Sequence, residues 1–349
     1  MSELTALIAT YEGVTPRLAG APAFAGPGAA VLGRATLGTG AWLGAFSVIR
    51  ADGHTIDIGD DFHLGGHGTV HIAHAILPTI IGHHVTAGEN AVIHACTVGD
   101  DCVVERDAVI LDGSVIGDGA VIAAGSIVFP RSQLNGGWLY SGCPAKPVSQ
   151  INTAEREARH RKTRAADSGS QEVTRSEDTA ECFLAPTSRL TGTLISGRDV
   201  GVWYGCTLNA GGHVIRIGDG SNVQDNSVLT CIEGDITIGA DVTIGHNVTM
   251  ADCTVESGSL IGIGAILAPG THVESDVLVA AGAQSEPGQM LTKGQVWAGR
   301  PARPIGPMDE RKRAIMSGTL PHYVEYARTF SATPHEPLTQ LQSELNGED

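Results

Sequence analysis

The chain has 349 residues, a formal charge of −16, 46 glycines, only 4% aromatic residues and a mean hydropathy of +0.05. So acidic a balance repels phosphate backbones and anionic lipid, which argues against nucleic-acid and membrane partners. No apolar run approaches the length that spans a bilayer. Abundant glycine with few aromatics argues against a helix bundle or a doubly wound sheet and points to tight turns joined by small aliphatic residues.

In chain order, the start Met1-Ser2-Glu3-Leu4-Thr5-Ala6-Leu7 lacks the basic segment and apolar core of a signal peptide. The seven cysteines are scattered, without CxxC pairs, as reduced thiols in a cytoplasm are. A cytoplasmic location is therefore expected, with Cys96 and Cys253 as small buried residues. From Val98 an aliphatic residue returns every six positions, at Val104, Ile110, Ile116, Ile122 and Val128. Neither the helical period nor strand alternation gives that recurrence. A three-faced solenoid does, with each hexad supplying one short strand and one corner, and with the aliphatic side chains stacking inward.

The first array closes at Trp138 to Pro147, where proline cannot continue a strand ladder. Thr153 to Arg164 follows with helix-forming composition, acidic early and basic late. Its basic run from Arg156 to Lys162 reads as a solvated helix face. A second array repeats the hexads at Val255, Ile261, Leu267, Val273 and Val279, and closes at Val296 to Pro304. Beyond it, 308–316 and 321–330 read as helices, the second with Tyr323, Tyr326 and Phe330 on one face. The expected organisation is a β-helix domain with trailing helix over 1–165, a flexible linker over 166–180, a second β-helix domain with C-terminal helices over 181–330, and a mobile tail over 331–349. The expected fold class is mainly β, two parallel β-helices each followed by α-helix.

The segment from His71 to Cys96 has a second copy from Thr230 to Cys253, but the histidines differ. Thr230 and Ala251 stand opposite His71 and His94, while Glu89 stands opposite His246. The first half also carries Ile49-Arg50-Ala51-Asp52, Val70-His71 and His94-Ala95-Cys96; the second carries Ser221-Asn222-Val223-Gln224-Asp225 and Gly245-His246. In these motifs the chain resembles the γ-class carbonic anhydrase family, over nearly all of both halves. The resemblance implies a left-handed β-helix and a metal held between two β-helices of a trimer. His71 and His94 would then belong to one wall and His246 to the opposite one. Arg50 and Asp52 survive only in the first half, and Asn222, Gln224 and Asp225 only in the second. Decay of one copy would leave the other complete, and neither is complete.

Two ligand sets follow from the resemblance. In the composite set His71 and His94 of a first-half module meet His246 of a second-half module, and three imidazoles leave an open position on zinc for water. Gln224 would orient that water or the substrate, and Arg50 with Asp52 or Asp225 would knit the interface or contact an anionic product. In the rival set three first-half modules close a ring and Glu89 is the third ligand. Zinc is the expected cofactor, with iron or another divalent ion possible, the carboxylate shifting the preference towards iron or manganese. His54, His63, His67, His74, His83 and His84 read as polar turn residues and His213, His272 and His322 as surface residues, none assigned to metal.

The function implied is a zinc-dependent lyase or hydrolase in which hydroxide adds to CO2 or another small carbonyl electrophile. The partners expected are a small-molecule substrate and further β-helix modules, as a homo-oligomer or pseudo-oligomer. Three alternatives stand beside it: the same metal site recruited to specialised metabolism, a hexapeptide-repeat acyltransferase, and a non-catalytic assembly module.

Overall fold

The protein is described by a computed structural model covering residues 4–166 and 182–338. The expected linker lies almost wholly outside the described residues. The chain divides into two compact units, the first half together with residues 333–338, and residues 182–332.

Each unit is a left-handed parallel β-helix in which each hexad supplies one short strand. In the first, Thr69–His71, Val92–His94, Val109–Ile110 and Ile127–Val128 stack in register on one face. His63–Leu64, Thr86–Ala87, Val103–Val104 and Val121–Ile122 form the second, and Thr79–Ile81, Thr97–Val98, Val115–Ile116 and Gln133–Leu134 the third. The hexad aliphatics Val98, Val104, Ile110, Ile116, Ile122 and Val128 all sit in one buried column of core. The second unit repeats the plan around Val255, Ile261, Leu267, Val273 and Val279. Among the described residues no helix is long and apolar enough to cross a membrane.

Each array closes in an antiparallel hairpin, Trp138–Gly142 with Ala145–Gln150 and Gln295–Ala298 with Arg303–Pro307. Helix α1, Thr153–Ala165, starts with a capping box in which Asn152 accepts from the Glu155 N–H and the Glu155 side chain accepts from the Asn152 N–H. Its basic residues are not all solvated. Arg156, Arg159 and Arg164 turn onto the β-helix and pair with Asp101, Glu105 and Asp61, while Arg161 stays 72% exposed.

Two expectations need correction. The two C-terminal helices are one, α2, running Glu310–Ala332 through Pro321. A proline interior to a helix costs about 3 kcal/mol, and the apolar face of α2 offsets it. Tyr323 and Phe330 meet the buried Trp203 ring edge-on at 5.2 and 6.1 Å. The tail expected from Ser331 also carries regular structure. His335–Pro337 pairs antiparallel with Leu7–Ala9, and Leu338 joins the core of the first unit beside Ile8. Residues 339–349 lie outside the described residues.

Candidate metal centre

Strand alternation builds the first wall. Ile49, Val70 and Ile93 point into the core, so the next residues in register, Arg50, His71 and His94, line up one per coil on the outer surface. They are nonetheless buried, at 0%, 3% and 9% exposure. Arg50 pairs with the Asp52 carboxylate. The other oxygen of Asp52 lies 3.2 Å from His71 Nε2, and His94 Nδ1 lies 2.6 Å from Asp112 Oδ1. Between the rings, His71 Nδ1 and His94 Nε2 are 3.2 Å apart.

That set of contacts fits a metal. Each carboxylate fixes one ring nitrogen as the N–H donor, which leaves the other nitrogen of each neutral ring as a lone pair. The two lone pairs then face each other, which is repulsive unless a proton or a cation lies between them. Two nitrogens bound tetrahedrally at 2.0–2.1 Å are themselves about 3.3 Å apart, close to the separation found. A carboxylate behind each imidazole is the usual support for a histidine ligand.

Asp112 was not singled out from the sequence. Its signal was available, since it stands eighteen residues after His94, three hexads on and therefore one full coil above. Without a trace of the coil, the Leu111-Asp112-Gly113 turn looks like any other acidic corner.

The second unit holds the opposite set. Asn222–Val223 pairs with Thr243–Ile244, which carries Gln224 and Asp225 over Gly245 and His246. His246 Nδ1 lies 3.1 Å from Asp225 Oδ2, and Asp225 Oδ1 accepts from the Tyr204 N–H at 3.1 Å. Gln224 donates to Asn222 Oδ1 and Asn222 to Thr243 Oγ1, both at 3.3 Å. All four side chains are buried, His246 and Asp225 completely.

Register also shows what each half lacks. At the coil positions of Arg50, His71 and His94 the second unit has Asn209, Thr230 and Ala251, and Gly211 and Pro269 take the places of Asp52 and Asp112. In the first unit Thr86–Ala87 over His63–Leu64 matches Thr243–Ile244 over Asn222–Val223. There Glu89 takes the place of His246 and Gly66 that of Asp225. Glu89 is exposed, and its carboxylate has no hydrogen-bond or ion-pair partner among the described residues. His63, opposite Asn222, stacks on Trp42 at 4.2 Å, and burial with the nearby Arg164 charge lowers its pKa to about 3. Cys96 and Cys253 are buried, and desolvation pushes both thiols up, Cys253 to about 11.

Comparison with known proteins agrees with the repeat reading. A family model described as bacterial transferase hexapeptide (six repeats) matches residues 95–130, and one described as hexapeptide repeat of succinyl-transferase matches 78–110 and 253–283. The chain is 34% identical over 171 residues to gamma carbonic anhydrase 1, mitochondrial, of Arabidopsis thaliana. That match covers 47% of this chain and 62% of the relative, so the chain spans less than two thirds of the plant protein's length. It is 31% identical over 136 residues to protein YrdA of Escherichia coli, covering 37% of this chain and 74% of that one. A solved hexapeptide transferase family protein from Anaplasma phagocytophilum is 31% identical with a TM-score of 0.40, over 44% of this chain and 89% of that one.

Proposed function

The chain belongs to the γ-class carbonic anhydrase-like family of hexapeptide-repeat β-helix proteins, and from that membership we propose that it is a metal-dependent lyase acting on CO2 or another small carbonyl electrophile. One observation carries this reading. His71 and His94 are backed by Asp52 and Asp112 at hydrogen-bonding distance, and the buried His246 has its Nδ1 3.1 Å from Asp225 Oδ2. Carboxylate support of that kind orients an imidazole and raises its basicity as a ligand.

The residues proposed to hold the ion are His71 and His94, with His246 of a second-half module as the third. Glu89 is the weaker candidate, since Gly66 in place of Asp225 leaves it without support. A bound zinc ion supplies Lewis acidity that makes hydroxide available near neutral pH. The protein groups have separate tasks. Asp52 and Asp112 hold the two rings in the tautomers that expose lone pairs to each other. Arg50, fully buried against Asp52, balances the charge of that carboxylate beside an apolar core. Gln224, fixed through Asn222 and Thr243, orients water or a carbonyl oxygen by its amide. The fully buried Asp225 holds His246 and spends its second oxygen on the Tyr204 N–H.

Metal analysis of protein purified without added metal, paired with a CO2-hydration assay, tests the reading. Metal content is expected to drop by about one equivalent per chain with His71→Ala and again with His246→Ala, while Glu89→Ala leaves it unchanged. Loss with Glu89→Ala but not His246→Ala would replace the composite set by the first-half ring. Metal without CO2 hydration would move the activity to another carbonyl substrate.

A further inference from the structure

The corner of the first unit that faces α1 stacks one left-handed residue per coil. Gly40, Asp61, His84, Asp101 and Gly119 have φ of 73°, 53°, 55°, 57° and 67°. The N–H of each of the last four donates at 2.8 Å to a carbonyl of the coil below. Glycine takes this conformation without penalty, and a side chain does not. Three successive rungs nevertheless carry Asp61, His84 and Asp101. The matching corner of the second unit runs Asp199, Gly220, Asp241, Gly258 and Asp276, at φ of 54°, 69°, 54°, 68° and 59°. There the same three rungs are glycine, aspartate and glycine.

Helix α1 lays Arg156, His160 and Arg164 along that corner at successive turns. His160 is 2% exposed, its Nε2 lies 3.2 Å from Asp101 Oδ1, and its Nδ1 lies 2.8 Å from Thr86 Oγ1. His84 Nδ1 is held 2.5 Å from Asp61 Oδ2, which turns its Nε2 towards the same Asp101 oxygen at 3.8 Å. That separation is too long for a hydrogen bond, yet the three donor atoms all lie within 4.8 Å of one another. Two atoms sharing a tetrahedral ion stand about 3.3 Å apart, between the two distances found here. Each donor also has a partner behind it, Asp61 for His84, Thr86 for His160, and Arg156 on the second oxygen of Asp101.

From the sequence His84 reads as a turn residue. We propose instead that His84, Asp101 and His160 form a second, structural divalent-metal site, distinct from His71 and His94, that clips α1 to the β-helix. Two imidazoles select a borderline ion such as zinc over calcium or magnesium. Arg156 and Arg164 offset the charges of Asp101 and Asp61, so the corner does not attract hard cations by charge alone. His84, with its side chain 39% exposed, marks the open side where the ion enters and where water completes the coordination.

The test uses the full chain carrying His71→Ala and His94→Ala, so that metal at the proposed catalytic centre does not enter the count. After dialysis against zinc alone at micromolar free concentration, about one zinc per chain is expected. Adding His84→Ala, a partly exposed position that leaves α1 and its arginines in place, should weaken binding roughly tenfold or more. Zinc should also slow proteolysis within α1 in the parent and not in the His84→Ala chain. No zinc uptake by the parent, or equal uptake with and without His84, overturns the proposal. Either result is independent of whether wild-type protein loses metal or activity with His71→Ala.

Discussion

The two halves share a scaffold and differ in which outward positions carry chemistry. In the first, the column Arg50, His71 and His94 is bracketed by Asp52 and Asp112; in the second, the same places hold Asn209, Thr230, Ala251, Gly211 and Pro269. The loss is of a connected set. A ligand histidine without its carboxylate binds more weakly, and a buried carboxylate without its partner is an uncompensated charge. On the proposed reading, ligand and support form one unit, and each half carries or lacks that unit whole. The reverse holds for Asp225 and His246, replaced together by Gly66 and Glu89 in the first half.

Removing support while leaving the ligands sharpens that comparison most. Asp112→Ala deletes the acceptor on His94 Nδ1, and since Asp112 has a side chain 43% exposed, the fold should survive. Metal affinity at the His71 and His94 centre is expected to fall about 10- to 100-fold, read by competition with a chelator. An unchanged affinity would mean that His94 is oriented by packing alone.

The fold was legible in the sequence because the hexad is enforced at every coil: each inward aliphatic touches its equivalents above and below, so a break in phase opens the core. The candidate histidines stood out in the sequence because Val70-His71 and His94-Ala95-Cys96 keep local spacing. What escaped were contacts between coils. Asp112 meets His94 a full coil away, His84 and His160 are brought together only by the docking of α1, and strand His335–Pro337 returns to Leu7–Ala9 from the far end of the chain. Pro321 read as a boundary because local propensity says so, and tertiary packing of Tyr323 and Phe330 on Trp203 prevails over it.

A second difference between the halves is one of acid sensitivity. His63 occupies the coil position that Asn222 occupies in the second unit, and its pKa in the folded chain is about 3 against an ordinary 6.5. The unfolded chain therefore takes up a proton below pH 6.5 that the folded chain refuses until about pH 3. The sign follows: the contribution is neutral above pH 6.5, and stability falls as the pH drops through that window, by up to about 1.4 kcal/mol per pH unit. His63→Asn should flatten that slope in the first unit, whatever it does to stability at pH 7. Denaturant melts at several pH values would show it, and an unaltered slope would mean that other groups carry the acid response.

The smallest effect expected comes from trying to reverse the loss. Thr230→His with Ala251→His returns both imidazoles to the second unit on the register that pairs His71 with His94. Gly211 and Pro269 remain where Asp52 and Asp112 would be, so neither ring is held in one tautomer and the lone pairs are not made to converge. Each missing carboxylate forgoes roughly 10- to 100-fold in affinity, so zinc uptake by the second unit should rise little if at all, in a chain whose His71 is also replaced. Adding Gly211→Asp should then raise affinity more than either histidine did. Strong zinc binding by the two histidines alone would show that ligand position suffices, and that the paired loss of ligand and support in each half has some other origin.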